Sequence, residues 1–428
     1  MKKYILSSLA VLATATMFTS CNDMLDTDPR KTEVTDAVFP GKVADVESEL
    51  SAVYAIMNTM GGGDSDNQNI FFWWEIMSDN CYGSGGLQDN KVKSLHHLVE
   101  MSVNQYAEPY KLLYGGIARA TTTIETIDNV PWRGDQQSLR NQLLGEAYFM
   151  RGLYYLWLSQ LYGDVPLITS SVITPEMEEQ ADAETAIYPQ VLSDLVSAAN
   201  LMGTERGHGD GHANKFVAEA FIARAYMFWA GFYKNVGELA SGGAPAIDLV
   251  EQEGCSASTL SQADVVNYLK DVVSNGGYKL CEDFRSLWQY SNSLLWDEAH
   301  DGEGHAYEYI ADMKRENCFD QPGMGNGNTE ELFQVQFMNA SSWNISGTYN
   351  AQRMYSNYIS VFWGLRNGAS NQNGDRNNTY PFNQGWGQGT PSCYIWDVWT
   401  DAERSGEYTD LRKKSYLIDL DNELANYT

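Results

Sequence analysis

The chain is expected to fold as a mainly α protein made of repeated helices, with long irregular loops and minor β structure. Apolar residues recur at helical spacing through most of the first 290 residues. Residues 145–162 are apolar or aromatic around nearly the whole helical wheel, so that helix should be buried on most sides. A closely similar stretch returns 73 residues later. At 428 residues, the length allows two or three domains or one large one.

In chain order, residues 1–20 come first, with two Lys, an apolar run from Tyr4 to Met17 and small residues before Cys21. This pattern reads as a secretory signal, too short and too closely followed by polar sequence to span a membrane. Phe18-Thr19-Ser20-Cys21 has the form of a bacterial lipobox, with Phe18 where Leu is commoner. Cys21 is therefore the expected lipidation site, because its thiol alone among these side chains can form a thioether to diacylglycerol. The bland reading is an ordinary cleaved signal with a chance Cys. More than one acyl chain gives stable membrane attachment. The next seven residues, NDMLDTD, hold three Asp and resemble the acidic tract that routes some lipoproteins to the cell surface.

Helices are expected at DVESELSAVYAIMN (45–58) and at YKLLYGGIARATTTIETID (110–128), where Tyr110, Tyr114, Ile117, Ile124 and Ile127 form a stripe. Further helices are expected at 145–162, at YPQVLSDLVSAANLM (188–202), at KFVAEAFIARAYMFWAGFY (215–233) and at ADVVNYLKDVVSNGG (263–277). LFQVQF (332–337) alternates as a strand would.

Six aromatic side chains fall between Tyr148 and Tyr162. A binding platform would present its rings on one open face, whereas these point all round, so they are read as core. Gly145, Gly152 and Ser159 recur every seven residues, a seam where another helix can approach closely. Glu146, Ala147 and Arg151 match Glu219, Ala220 and Arg224 at the same offset, and the seam returns as Ala218 and Ala225. That offset is close to two tetratricopeptide units of about 34 residues, which makes the scaffold tetratricopeptide-like. Glu146 and Arg151 are five apart and do not face each other. Each is expected to meet a partner on an adjacent helix or to cap a turn, and the repetition argues for architecture over catalysis.

The net charge of −28 leaves no basic surface for nucleic acid or for anionic lipid. With 12 Trp and 26 Tyr, the chain has rings beyond what its core needs, and it suits neutral, hydroxyl-rich ligands better than anions. Sugar binding needs exposed rings beside polar side chains. Two loop-like regions supply them. The first places Trp73, Trp74 and Tyr82 among Gly, Asp and Asn; the second holds Trp343, Tyr349, Trp363 and Trp386. Each Trp has a core alternative, and Trp386, within a GWG, is the most structural of them. Trp296 and Tyr307 rank second. Among other groupings, His208, Asp210 and His212 read better as a solvated glycine-rich turn than as metal ligands, and no metal or cofactor is expected. His96-His97 and the pair His300 and His305 have no clear ligand spacing. Glu75 and Asp79 are a conceivable glycosidase pair, but sequence does not fix their separation. Cys81, Cys255, Cys281, Cys318 and Cys393 form no close pair and are expected to be mostly small buried thiols.

The stretches GEAYFMRGLYYLWLSQLYGDVPLIT, YPQVLSDLVSAANLM, GHANKFVAEAFIARAYMFWAGFY, GYKLCEDFRSLW, NTEELFQVQF, GWGQGTPSCYIWDVW and YTDLRKKSYL resemble, in order and rough spacing, the SusD/RagB outer-membrane glycan-binding lipoproteins. The likeness runs from Cys21 to about residue 418. On this reading 1–20 is the signal peptide and 21–428 a SusD-like domain, with 22–290 the helical scaffold and 291–428 a loop-rich part. The family continues well past Asp410-Leu411-Arg412, so the chain is expected to lack the family's C-terminal end. Ala120 and Thr121 stand near where the family often has Asn. The resemblance implies a non-catalytic lipoprotein on the outer membrane, facing the cell surface. It would bind oligosaccharide or polysaccharide and deliver it to a SusC-like, TonB-dependent transporter. A lipid-anchored glycoside hydrolase and a tetratricopeptide-type protein-binding scaffold are the alternatives.

Overall fold

A computed structural model of the chain describes residues 39–62, 70–85, 90–99, 106–205, 210–234, 243–281, 328–336 and 386–406, with Leu287, Trp363 and Lys413 singly. Helices dominate: α1 (Val43–Gly62), α2 (Ile70–Ile76), α3 (Asn90–His97), α4 (Ala107–Thr126), α5 (Gln137–Tyr162), α6 (Tyr188–Leu201), α7 (Lys215–Tyr233), α8 (Gln262–Asn275) and α9 (Cys393–Ser405). Among the described residues the strands are short and form three antiparallel ladders: β1 (Cys81–Gly83) with β6 (Gly389–Pro391), β2 (Val165–Pro166) with β3 (Gln180–Ala181), and β4 (Ile247–Asp248) with β5 (Thr259–Leu260).

The larger helices pack in sequence order, α1 on α4, α4 on α5, α5 on α6, α6 on α7 and α7 on α8, as expected of a tetratricopeptide-like stack. Local chemistry sets their ends. The Asn214 side chain accepts from the Val217 N–H at 3.0 Å to start α7, and Ser261 with Asp264 forms a reciprocal cap on α8. Pro189 stands in the first turn of α6, where its missing N–H costs nothing. Gly163, at φ 71°, stops α5 in a backbone conformation that other residues resist.

α5 is the axis of the stack, buried without a break from Gln142 to Ser159. The rings between Tyr148 and Trp157 are core, as their all-round distribution implies. The small residues are seams. A Cβ on Gly152 would sit 3.1 Å from Asp194 Cβ and 3.2 Å from the Val191 carbonyl, so α6 runs in close contact there. Across the other side, a Cβ on Gly116 would come within 2.4 Å of the Tyr154 ring, fitting α4 against α5. Ala218 and Ala225, the counterparts of Gly145 and Gly152 on α7, are both fully buried.

The buried charges of α5 do meet partners on other elements. Arg151 donates Nε to Asp194 Oδ2 at 2.8 Å and Nη2 to Asp194 Oδ1 at 2.7 Å, a bidentate pair to α6. Glu146 accepts from Tyr54 on α1 and Gln142 on its own helix. The repeat is not complete, however. Arg224 is exposed, lies over the Phe221 ring and makes no ion pair among the described residues. LFQVQF is also not a strand over its described part. Residues 332–336 pair with no ladder and are held by ring packing, with Phe333 edge-on to Phe149 at 5.3 Å and to Phe221 at 6.3 Å. Phe337 lies outside the described residues. Cys81 and Cys255 are buried free thiols, but Cys281 is half-buried and Cys393 exposed, so only part of the set is core.

Glu219 is 1% exposed on α7, and its Oε2 has no hydrogen-bond partner. Lys215 Nζ lies 3.4 Å from its other oxygen and donates to Asp271 on α8 at 2.6 Å. Burial pushes the Glu219 carboxyl from its ordinary 4.5 up to about 7, with the Lys215 charge only partly opposing it. The folded state thus keeps a proton that the unfolded chain releases. This contribution to stability is full below the ordinary carboxyl pKa and is lost as pH rises through about 7. Urea unfolding between about pH 5 and pH 8 should lose on the order of 1–3 kcal/mol from this group. Glu219→Met should remove that part of the slope. Parallel profiles for the two proteins would contradict the assignment.

Candidate functional site

The segment IFFWWEI folds as a short helix rather than the loop expected around Trp73 and Trp74, because its rings and Ile side chains find somewhere to pack. Trp73 is buried, its ring edge-on to Tyr106 at 5.2 Å. Trp74 is half-buried between Phe71 at 5.7 Å and Trp157 at 5.9 Å. Trp363 also faces the core. It packs edge-on to Phe72 at 5.3 Å, and a Cβ on Gly389 would sit 2.5 Å from its indole nitrogen. These three rings therefore do not stand free in loops. Cys21, Trp343, Tyr349, Trp296, Tyr307, Cys318, His208, His300 and His305 lie outside the described residues.

Tyr82 is different. Shortly after α2 the chain enters β1, whose residues pair across the ladder as Cys81 with Pro391, Tyr82 with Thr390 and Gly83 with Gly389. Strand alternation buries Cys81 and leaves Tyr82 and its partner Thr390 exposed, Tyr82 by 39%. Gly83 lets α3 close on the strand, since a Cβ there would lie 2.3 Å from the Val92 carbonyl. That approach brings His96 edge-on to the Tyr82 ring at 5.3 Å, with His97 at 4.7 Å from His96. Ser84 Oγ lies 2.6 Å from Thr390 Oγ1 and donates to the Gly387 carbonyl at 2.7 Å, which fixes two hydroxyls beside the ladder. Trp386, expected to be the structural ring of the GWG, is instead 42% exposed just before β6.

Exposed rings beside fixed hydroxyls and an imidazole can meet the C–H face of a sugar and bond its hydroxyls. Tyr82 was legible in the sequence; the Ser84–Thr390 contact was not, because partners some 306 residues apart follow no spacing rule. Nor was His96, because it reaches Tyr82 only through the packing of α3 on Gly83. Beneath the ladder Glu75 accepts weakly from the Cys81 thiol at 3.9 Å, and burial, then the Glu75 charge, pushes that thiol up to about 11. His212 reaches Glu146 rather than a metal-ligand set, and no group of three or more His, Cys, Asp or Glu among the described residues is placed to hold a metal. Among the described residues no helix is long and apolar enough to cross a membrane.

The helical stack, with an aromatic face carried on the β1–β6 ladder and α3, has parallels among known chains. Residues 23–227 match the SusD-like family model described as "Starch-binding associating with outer membrane". A curated SusD-like protein of Formosa agariphila is 25% identical over 233 residues, covering 53% of this chain and 43% of that one. This chain thus spans less than half the length of that relative. Surface glycan-binding protein A from Bacteroides fluxus superposes with a TM-score of 0.59 at 19% identity, covering 90% of this chain and 65% of that one. A laminarin binding SusD-like protein superposes with a TM-score of 0.57 at 18% identity, covering 86% of this chain and 68% of that one. Residues 23–227 are thus similar to the SusD-like family, and the fold of the chain resembles that of SusD-like structures.

Proposed function

We propose that the protein captures carbohydrate without catalysing its cleavage, as a lipoprotein anchored through Cys21 on the outer face of the outer membrane, and passes it to a SusC-like, TonB-dependent transporter. The observation that carries the binding step is the exposed Tyr82–His96 pair beside the Ser84 and Thr390 hydroxyls, with Trp386 exposed nearby in sequence. The fold shared with proteins described as glycan-binding and laminarin-binding supports the ligand class.

A stacked ring is worth on the order of 0.5–1.5 kcal/mol beyond its area. Tyr82→Ala should therefore weaken a glycan by up to about tenfold, and Tyr82→Ala with Trp386→Ala by more. Native gels cast with laminarin or starch, run beside a reducing-sugar assay and a melting curve, provide the test. Retardation without product, lost in the double variant at unchanged melting temperature, is the expected result. Released product would point to a hydrolase, and undiminished retardation in the double variant would place the site elsewhere.

The anchor is tested separately. Metabolic labelling with an alkyne fatty acid should mark the wild-type protein and not Cys21→Ala, which should also leave the membrane fraction. Equal labelling of both would remove Cys21 from the reading. The transporter step predicts that a TonB-dependent barrel co-purifies from gently solubilised outer membranes, and its absence under conditions that keep the anchor would count against delivery.

A further inference from the structure

A cleft of about 220 Å³ opens between the middle of α1 and two short segments, residues 210–212 and 334–336. It shares no residue with the Tyr82 face. Its walls are tied in place. Below it, Glu146 is fully buried; its Oε2 accepts from Tyr54 OH at 3.0 Å and pairs with His212 Nδ1 at 2.7 Å, and its Oε1 accepts from Gln142 at 2.9 Å. Tyr54 OH in turn accepts from the Ala213 N–H at 3.0 Å. With Nδ1 committed to a carboxylate, the imidazole is held in one orientation, edge-on to the Tyr54 ring with the ring centres 5.1 Å apart. Asp210 accepts from the His212 N–H at 2.9 Å, fixing the turn, and Asn58 donates to the Gln336 carbonyl, fastening α1 to the third wall.

Size and chemistry narrow the occupant. Pockets for drug-sized ligands run roughly 300–1,000 Å³, so this cleft takes about one ring. At about 30 Å³ per water it would otherwise hold several waters. Asp210, His212 and Asn58 offer hydroxyl-binding groups, while Ala55, Val335 and the Tyr54 ring offer carbon. Asp210 stands in its lining and, among the described residues, no Lys or Arg does, which favours a neutral ligand over an anion.

We propose that this cleft binds a single neutral pyranose ring, as a second site independent of the Tyr82 face. The inference shares the ligand class of the proposed function but stands on the cleft alone.

The probes are the methyl pyranosides of glucose, galactose and mannose, with glucosamine as a cationic counterpart, followed by saturation-transfer NMR on the full chain. Wild type should show transfer from at least one methyl pyranoside. Ser51→Trp, on the exposed rim, and Asp210→Ala, on the exposed turn, should each weaken it about tenfold or more. The part of the transfer that Ser51→Trp and Asp210→Ala remove should persist in Tyr82→Ala, which reduces polysaccharide retardation, so a failure of one site is distinguishable from a failure of the other. Melting curves identify any variant that misfolds, and Asp210→Ala then decides alone. No transfer from any methyl pyranoside, undiminished transfer in a folded cleft variant, or preference for glucosamine would overturn the proposal.

Discussion

Asp194→Ala should cost about 3–5 kcal/mol of folding stability, because it strands a buried guanidinium. Asp194 is fully buried and Arg151 is 3% exposed. The carboxylate accepts not only the two Arg151 bonds but also Gln190 and Gln252 side-chain N–H groups at 2.9 Å and 2.8 Å. Burial alone would pull the Arg151 pKa down; the charge and hydrogen bonds of Asp194 hold it above its ordinary value. Remove that partner and the desolvation of Arg151 is no longer offset. Arg151→Met should be costly for the mirror reason, leaving a buried carboxylate with only neutral donors. The pair Arg151→Met with Asp194→Ala should recover much of the loss, since neither charge then remains. Urea unfolding of the four proteins at pH 7 gives the coupling directly. A single-variant loss below about 1 kcal/mol, the range of exposed pairs, would show the bridge to be open to solvent.

That pair also marks how far the sequence could be read. The five-residue spacing of Glu146 and Arg151 was enough to exclude their pairing with each other, and the repeat to expect each to meet an adjacent helix or cap a turn. Nothing in the spacing pointed to Asp194, 43 residues away, because a partner on another helix is chosen by packing angle. The helices themselves were legible, since α1, α4, α6, α7 and α8 carry their period in apolar side chains and several carry capping residues. α2 was not, because seven residues flanked by Gly, Asp and Asn look like loop until their rings find Tyr106 and Trp157. The same limit hid most of the Tyr82 face. β1 and β6 have three residues each and lie some 300 apart, too short for alternation to register and too distant for a turn signal. Trp363 and Trp386 show the remaining difficulty. Both are Trp in polar surroundings, and only the contact of one with Phe72 separates a core ring from an exposed one.

Tyr154→Ala should destabilise the protein by about 3–5 kcal/mol, the range for deleting a fully buried aromatic ring. The ring is 0% exposed and fits against Gly116 of α4, while its hydroxyl donates to the Val53 carbonyl of α1 at 2.6 Å. One side chain thus joins three helices. Tyr154→Phe isolates the hydroxyl and should cost only about 1 kcal/mol, the net worth of one hydrogen bond plus an underused carbonyl. A second substitution tests the packing by sign. In the native protein Gly116→Ala should destabilise, because its Cβ would meet the ring at 2.4 Å and a packed ring cannot yield without moving α5. In the Tyr154→Ala background that obstacle is gone. There Gly116→Ala should instead stabilise by about 1 kcal/mol, since Gly in a helix interior is that much worse than Ala. Chemical denaturation of the two single variants and the double variant reads the reversal. If Gly116→Ala has the same effect in both backgrounds, the ring does not rest on Gly116, and the close approach of α4 to α5 has another cause.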